Sequence, residues 1–290
     1  MILITGSEGF VGRNFLASPE LYGDVRCIDL ATGTDARDFF RQDQTHYDLV
    51  IHLAAVVGGR MLIEGSPLSL AVDLSIDAEM ASWAMRTRPK HILYFSSSAA
   101  YPIKYQTGEQ VYQLKESDID LQNIQTPDMT YGWAKLTGEM LMDNLRREGI
   151  SVTTIRPFSG YGSDQSLDYP FPSLIQRALQ FQDPFVVWGS DRTVRDWVHI
   201  EDIVRISLAL ARMRVNEAVN ICTGIGTSFR HLVEIITAQV GFRPEIVSDS
   251  GKPRGVAFRV GNPIKMLNYE YPRISIAEGV ARALSETSQG

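Results

Sequence analysis

The sequence predicts an α/β fold: a doubly wound parallel sheet, with a smaller mixed α/β lobe towards the C-terminus. Three observations carry this. Short apolar runs alternate with helical patterns through the first half of the chain, as βαβ units require. The first run, Ile2 to Ile4, enters glycines at 6, 9 and 12, so a buried strand turns sharply into a helix. After about residue 160 the rhythm weakens: prolines at 170, 172 and 184, with aromatics between them, set off a smaller, irregular lobe.

The elements follow in order. Val25 to Ile28 is a second apolar strand, ended by Asp29, and Tyr47 to Ala55 is a strand that runs into small residues. Ser66-Pro67 reads as an N-cap and first-turn proline, opening a helix to about Arg86. His91 to Ser98 is a buried strand ending in three serines, and 102–128 is a polar stretch without periodicity, expected as a long surface loop. Trp133, Leu136 and Met140, then Leu141 and Leu145, recur at helical spacing until Gly149. Ser151 to Pro157 is a further strand. A helix follows His199, with Ile203, Ile206, Leu210 and Met213 on one side. Ala218 to Cys222 returns as a late strand of the main sheet, and Phe229 to Val240 is a helix capped by Ser228 and stopped by Gly241.

Bulk properties exclude several classes. The 290 residues are 44% apolar and 21% charged, enough for a large core. A net charge of -6 offers no basic face for nucleic acid. No apolar run reaches the length of a membrane span. The opening strand is not a cleavable leader, so a cytoplasmic location is expected. Cys27 and Cys222 sit in strand-like stretches and are expected as small core residues, neither disulfide-bonded nor metal-binding.

The glycine turn carries chemistry. Gly6 permits the tight turn, Gly9 the approach of a pyrophosphate, and Gly12 the close packing of a helix whose N-terminus aims at the phosphates. An acid about 20 residues on completes this Rossmann-type pattern. Asp29 is placed to bond both ribose hydroxyls, and no arginine follows it in Leu30-Ala31-Thr32 to accommodate a 2′-phosphate. The cofactor predicted is NAD. Tyr131 and Lys135 lie one helical turn apart on one face. A phenol titrates near ~10, and an ammonium beside a bound nicotinamide cation lowers that value enough for base catalysis. With a serine from the neighbouring strand end, the pair can take a hydroxyl proton while hydride leaves the adjacent carbon.

These residues resemble a known family, the extended short-chain dehydrogenases/reductases that act on nucleotide sugars. The resemblance runs through Thr5-Gly6-x-x-Gly9-x-x-Gly12, Asp29, His52-Leu53-Ala54-Ala55 and Ser96-Ser97-Ser98-Ala99-Ala100-Tyr101. It continues through Tyr131-x-x-x-Lys135, Arg156-Pro157-Phe158-x-x-Tyr161-Gly162 and Arg195-Asp196-Trp197-Val198-His199. It implies Ser97, Tyr131 and Lys135 as the catalytic set, Ser97 lying four residues before Tyr101. The implied cofactor contacts are Gly6, Gly9, Phe10, Val11, Gly12, Asp29, Leu53, Ala54, Ala55, Ser96, Tyr131, Lys135 and Pro157. Asp35 joins them as the adenine-bonding acid that follows a third strand. The implied substrate contacts are Ser97, Ser98, Tyr131, Ser159, Arg195 and Arg254. The domains implied are a cofactor domain at 1–160, rejoined by 193–226, and a nucleotide-sugar lobe at 161–290. A homodimer through the helix after Pro67 and the helix of Tyr131 is implied too, with no metal, no membrane and no nucleic acid.

Reaction type follows by subtraction within the family. Its 4,6-dehydratases carry Asp-Glu where Ser98-Ala99 stand, and its decarboxylases a glutamate at Ala99. Its 3,5-epimerases and synthases carry a cysteine there, although they share the Gly58-Gly59 pair. What is left is a 4-epimerase that oxidises carbon 4 of a nucleotide-diphosphate hexose and returns the hydride to the other face. The alternatives are a 4-keto-deoxysugar reductase, a dehydratase of the same family, and a cofactor-sensing regulator. Two departures stand out: Asp73 replaces an asparagine near the cofactor, and Ser159 an asparagine near the substrate.

Overall fold

A computed structural model describes residues 1–58, 65–252 and 255–287. Gly59 and Arg254 lie outside them. In chain order the elements are β1 (Ile2–Thr5), α1 (Phe10–Ala17), β2 (Val25–Ile28), α2 (Ala36–Gln42), β3 (Leu49–His52), α3 (Ser69–Thr87) and β4 (Ile92–Phe95). Then come β5 (Gln113–Leu114), α4 (Met129–Arg147), β6 (Val152–Pro157), β7 (Ser159–Tyr161), α5 (Pro170–Leu179), β8 (Phe185–Trp188) and β9 (Val194–His199). The remainder are α6 (Ile200–Arg212), β10 (Ala218–Ile221), β11 (Gly226–Ser228), α7 (Phe229–Val240), β12 (Ile246–Asp249), β13 (Phe258–Gly261) and α8 (Ile276–Thr287).

The main sheet is six-stranded and parallel, in the order β10-β6-β4-β3-β1-β2. Strand residues alternate between two cores. Ile2, Ile4, Ile51, Leu93 and Ile155 pack beneath α1 and α6 with Phe15, Ile203 and Ile206. Leu3, Val50, Ile92, Tyr94 and Val152 pack beneath α2, α3 and α4 with Phe40, Trp83 and Met142. Each large apolar side chain so buried stabilises the fold by roughly 1.5–3 kcal/mol. The C-terminal lobe has its own core around Tyr161, Phe171, Leu174, Trp197, Leu232 and Val280. It contains a five-stranded sheet, β11-β9-β13-β5 with β7 on β9, and the parallel pair β12-β8. Of the span 193–226, α6 and β10 return to the main sheet, whereas β9 and β11 stay in the lobe sheet.

The α/β alternation and most element positions match the sequence. Ser228 caps α7 by accepting from the His231 amide at 3.1 Å, and Gly241 ends it with φ +95°. Several expectations are corrected. Cys27 is exposed, because β2 is the sheet's edge strand and turns both Arg26 and Cys27 outward; Cys222 is buried. Helix α3 starts at Ser69, with Leu68 at its N-cap, because a turn closed by Ser69 N–H donating to the Ser66 carbonyl precedes it. No strand separates β2 from Asp35. That acid follows a single turn at Leu30–Thr32 and caps α2, accepting from the Arg37 amide at 2.8 Å.

The 102–128 stretch is mostly exposed and irregular, as expected of a loop, but parts of it are built into the fold. It carries β5, fully buries Leu114 and nearly buries Gln106. Met213 is 57% exposed, just past the end of α6. The lobe is less irregular than its prolines suggest, because Pro170 occupies the first turn of α5, where a missing N–H costs nothing.

Candidate active site

The site forms where the strand order of the main sheet reverses, between β1 and β3. Gly6 leaves β1 with φ +74°, and a Cβ there would stand 2.9 Å from the Ala54 nitrogen and the Leu53 carbonyl carbon. Gly12 lets α1 press onto the turn: its Cβ would lie 2.3 Å from the Gly6 oxygen. Gly9 caps α1 without a side-chain bond, so no side-chain cap competes with an anion for the first amides of α1. The Asp29 carboxylate accepts from the Glu8 amide at 2.9 Å and the Ala31 amide at 2.8 Å, braced at the mouth of the turn. Only glycine fits at positions 6 and 12, and the donors of this cradle suit a pyrophosphate.

One cavity of about 350 Å³ gathers most of the predicted residues: Gly6, Gly9, Phe10, Val11, Gly12, Leu53, Ser96, Ser97, Tyr131, Lys135, Pro157, Ser159 and Arg195. Asp29, Asp35, Ala54, Ala55 and Ser98 are not part of its wall. The Asp35 carboxylate is engaged by the Arg37 guanidinium at 2.5 Å, which holds its pKa below the usual carboxylate range. Ser98 is buried in the turn beyond Ser97. The Ser96 hydroxyl donates to Glu139 at 2.5 Å, so its side chain is committed to the core.

Ser97 and the Tyr131–Lys135 pair come from two adjacent elements. The Ser97 hydroxyl accepts from the Ala99 amide at 3.1 Å and lies on the same cavity wall as Tyr131. Tyr131 and Lys135 project from the first turns of α4; the Lys135 Nζ, on a side chain almost wholly buried, lies 5.7 Å from the Tyr131 ring centre. Helix and serine turn touch at Gly132, where a Cβ would stand 2.4 Å from the Ala99 carbonyl oxygen. Burial pushes the Tyr131 phenol well above its ordinary value, Asp73 and Asp77 push the same way, and the nearness of Ser97 opposes them. Asp73 accepts from the Val56 amide at 2.6 Å. Burial raises its own pKa, against the pull of Lys135.

Across the cavity, Arg195 is held from behind by donating to the carbonyls of Val194 and Val256, both at 2.8 Å. Sequence reasoning missed Tyr169, Gln165, Trp197, Phe171 and Phe229, which form the lobe's wall. Tyr169 and Gln165 lie in a segment without periodicity, where no pattern singles them out. Burial raises the Tyr169 phenol to about 12, with Tyr131 and Asp168 adding to the shift. Among the described wall residues, the ionisable groups are Tyr131, Lys135, Tyr169 and Arg195; none is a carboxylate, thiol or imidazole. No cluster of metal-ligating side chains occurs among the described residues, nor a helix long and apolar enough to cross a membrane.

The chain matches the NAD dependent epimerase/dehydratase family over residues 2–222 and belongs to that family. It is 23% identical to GDP-L-fucose synthase of Escherichia coli, with 97% of this chain and 94% of the relative covered. It is 28% identical to a putative UDP-glucose 4-epimerase of Methanocaldococcus jannaschii, over 98% and 97%. The structure of Thermus thermophilus UDP-glucose 4-epimerase in complex with NAD superposes with a TM-score of 0.81 at 20% identity, covering 100% of this chain and 99% of that one. NAD is therefore the cofactor, and the glycine cradle with Asp29 fits it.

Proposed function

We propose that this enzyme is a nucleotide-diphosphate-hexose 4-epimerase that keeps its NAD through turnover. The observation that supports this is the wall of the cavity: one hydroxyl–phenol–ammonium set and, among its described residues, no carboxylate, thiol or imidazole of the kind that dehydration, decarboxylation or 3,5-epimerisation requires. Ala99 contributes none, being a buried methyl in the turn after Ser97. When bound, NAD supplies a hydride acceptor and a positive charge. That charge offsets Asp73 and Asp77 and lets the Tyr131 phenolate form.

Tyr131 takes the proton of the sugar's 4-hydroxyl as the hydride leaves carbon 4. Lys135 stabilises the phenolate, and Ser97 holds the hydroxyl and then the ketone oxygen. After the ketone turns over, Tyr131 returns the proton as hydride arrives on the other face. Arg195, a guanidinium on the cavity wall anchored to two carbonyls, suits the diphosphate. Asp29, with no arginine after it, favours NAD over NADP.

One observation favours a second reading. The burial that holds Tyr131 protonated suits donation to a ketone, as a 4-keto-sugar reductase needs. The two readings separate on a panel of UDP-, GDP- and dTDP-hexoses followed by anomeric NMR signals. Conversion to a 4-epimer without net NADH supports the epimerase, and stoichiometric consumption of NAD(P)H with a 4-keto sugar supports the reductase. Tyr131→Phe should retain NAD and lose at least about a hundredfold in turnover; surviving turnover means the base is another group.

We further propose a homodimer through α3 and α4. Those helices pack on each other, yet leave Met85, Trp133 and Met140 between 37% and 40% exposed. Sedimentation of a Trp133→Glu variant as a monomer, against a dimeric parent, is the expected result.

A further inference from the structure

The start of α4 carries a feature that neither helix formation nor cofactor binding requires. Asp128 occupies the N-cap, where an aspartate ordinarily accepts from the first amides of its own helix. Here its side chain makes no capping bond. It turns instead to Arg259 on β13, whose guanidinium donates to it at 2.6 Å. Both side chains are about nine-tenths buried. The same guanidinium donates from Nε to the Gln106 side-chain oxygen at 2.6 Å, and Gln106 donates to the carbonyls of Tyr101 and Pro102.

Asp128 is also tied through its backbone. Its amide donates to the Ala99 carbonyl at 3.0 Å, in the turn that Ser97 opens, and its carbonyl accepts from the Gly132 amide at 3.0 Å. Between these anchors Met129 has φ +58°. A non-glycine residue held in the left-handed region persists only where its surroundings enforce it. Tyr131 is two residues further on. On the other side, Arg259 is the register partner of Arg195 across β13 and β9. One line of ordered contacts therefore runs from Arg195 through the lobe sheet to Arg259, across the ion pair to Asp128, and into both Tyr131 and the Ser97 turn.

We infer that Arg259 and Asp128 are positioning residues, a buried ion pair through which the C-terminal lobe sets the placement of Tyr131 against Ser97. Neither touches the reacting atoms. The pair forgoes the ordinary cap, and in exchange the lobe sheet carrying Arg195 fixes the left-handed entry into α4. The inference rests on Tyr131 being the proton-transferring group. Losing the tie lets the first turn of α4 relax at Met129 and moves Tyr131 away from Ser97, whose nearness lowers the phenol's pKa.

The test uses the NAD-loaded enzyme and its variants Arg259→Lys, Arg259→Gln and Asp128→Asn. Each is compared with its own Tyr131→Phe counterpart by ultraviolet difference titration, so that only the Tyr131 phenol is read. The midpoint should rise by about half a pH unit or more in Arg259→Gln and in Asp128→Asn. Arg259→Lys, which keeps a cation opposite Asp128, should recover part of that shift. With a hexose that the panel converts, kcat should fall about ten- to a hundredfold while KM stays within about threefold, as expected for misplacement without lost binding. If Arg259→Gln does not fold, the near-isosteric Asp128→Asn carries the measurement. A lowered melting temperature with an unchanged Tyr131 midpoint and unchanged kcat in the folded protein overturns the inference and leaves the pair purely structural. Turnover surviving in Tyr131→Phe defeats the reading of the base instead, whatever the Arg259 variants do.

Discussion

Two buried polar clusters flank the catalytic helix α4, and they are built on opposite charge arithmetic. On one side Ser96, Glu139, Arg156, Tyr101 and Asn220 form a closed set. Arg156 donates to both oxygens of Glu139, at 2.9 and 2.6 Å, and to the Tyr101 hydroxyl at 3.1 Å, which donates onward to Asn220 at 2.6 Å. One carboxylate faces one guanidinium, each less than 5% exposed. On the other side Asp73 and Asp77 project one turn apart from α3. Asp77 accepts from the Tyr94 hydroxyl at 2.7 Å and pairs with His52 at 3.1 Å, whose other ring nitrogen meets Thr5 at 2.8 Å. Gly138 makes room for this cluster, since a Cβ there would stand 2.4 Å from Asp77 Oδ2. Lys135, 5.5 Å from the Tyr94 ring centre, pulls the pKa of Asp73 down against its burial.

The contrast separates a device that holds the fold from one that adjusts the chemistry. A matched ion pair contributes rigidity and leaves Tyr131 untouched. An acid-rich cluster raises the Tyr131 phenol, so in the proposed mechanism the base would depend on the positive charge that NAD would supply.

Breaking the matched cluster should have the largest effect on stability. Glu139→Gln leaves Arg156 buried without its counter-charge and should cost about 3–5 kcal/mol, measured by urea denaturation. The pH dependence of kcat in the surviving folded enzyme should stay as it was. Breaking the acid-rich cluster should do the reverse. Asp73→Asn removes a negative charge that raises Tyr131, so the phenol's pKa falls and the acid limb of kcat against pH moves down by about one unit.

The sign on stability follows from Asp73 itself. Its folded pKa is raised, so the ionised form is disfavoured in the folded state. Asp73→Asn should therefore stabilise slightly above the ordinary carboxylate range and make no difference well below it. Destabilisation at neutral pH would show that the carboxylate is paired as tightly as Glu139. The smallest effect belongs to Tyr169, which lies in neither cluster. Tyr169→Phe should weaken binding of a nucleotide hexose about five- to tenfold while leaving binding of UDP alone and the stability unchanged, read by calorimetry. A loss of UDP affinity would move Tyr169 from the sugar to the nucleotide.

How much of this was legible depended on distance along the chain. The glycine turn and the Tyr131–Lys135 pair are each local patterns set by spacing, and the structure brings them to one cavity, with Asp29 outside its wall. Asp35 does not follow a third strand, because the turn at Leu30–Thr32 leads from β2 straight into α2 and β3 comes after it. Cys27 was read as core because a short strand pattern does not say whether it lies at the edge of its sheet. Gln106 and Leu114 looked like surface loop, since burial by a strand more than a hundred residues away leaves no periodic trace.

The sequence by itself determined the doubly wound sheet, the glycine cradle and the placing of Tyr131 and Lys135 on one helix face, because each is written in local patterns where backbone geometry dictates side-chain direction. Only the tertiary structure decided the electrostatics around Tyr131 and its tie to the C-terminal lobe. The charge beside a phenol depends on which carboxylates the packing of α3 on α4 brings near, and the placement of α4 depends on Arg259, 131 residues from Asp128 in the chain. Coulomb interactions and buried ion pairs act through space, and the order of residues along the chain does not record them.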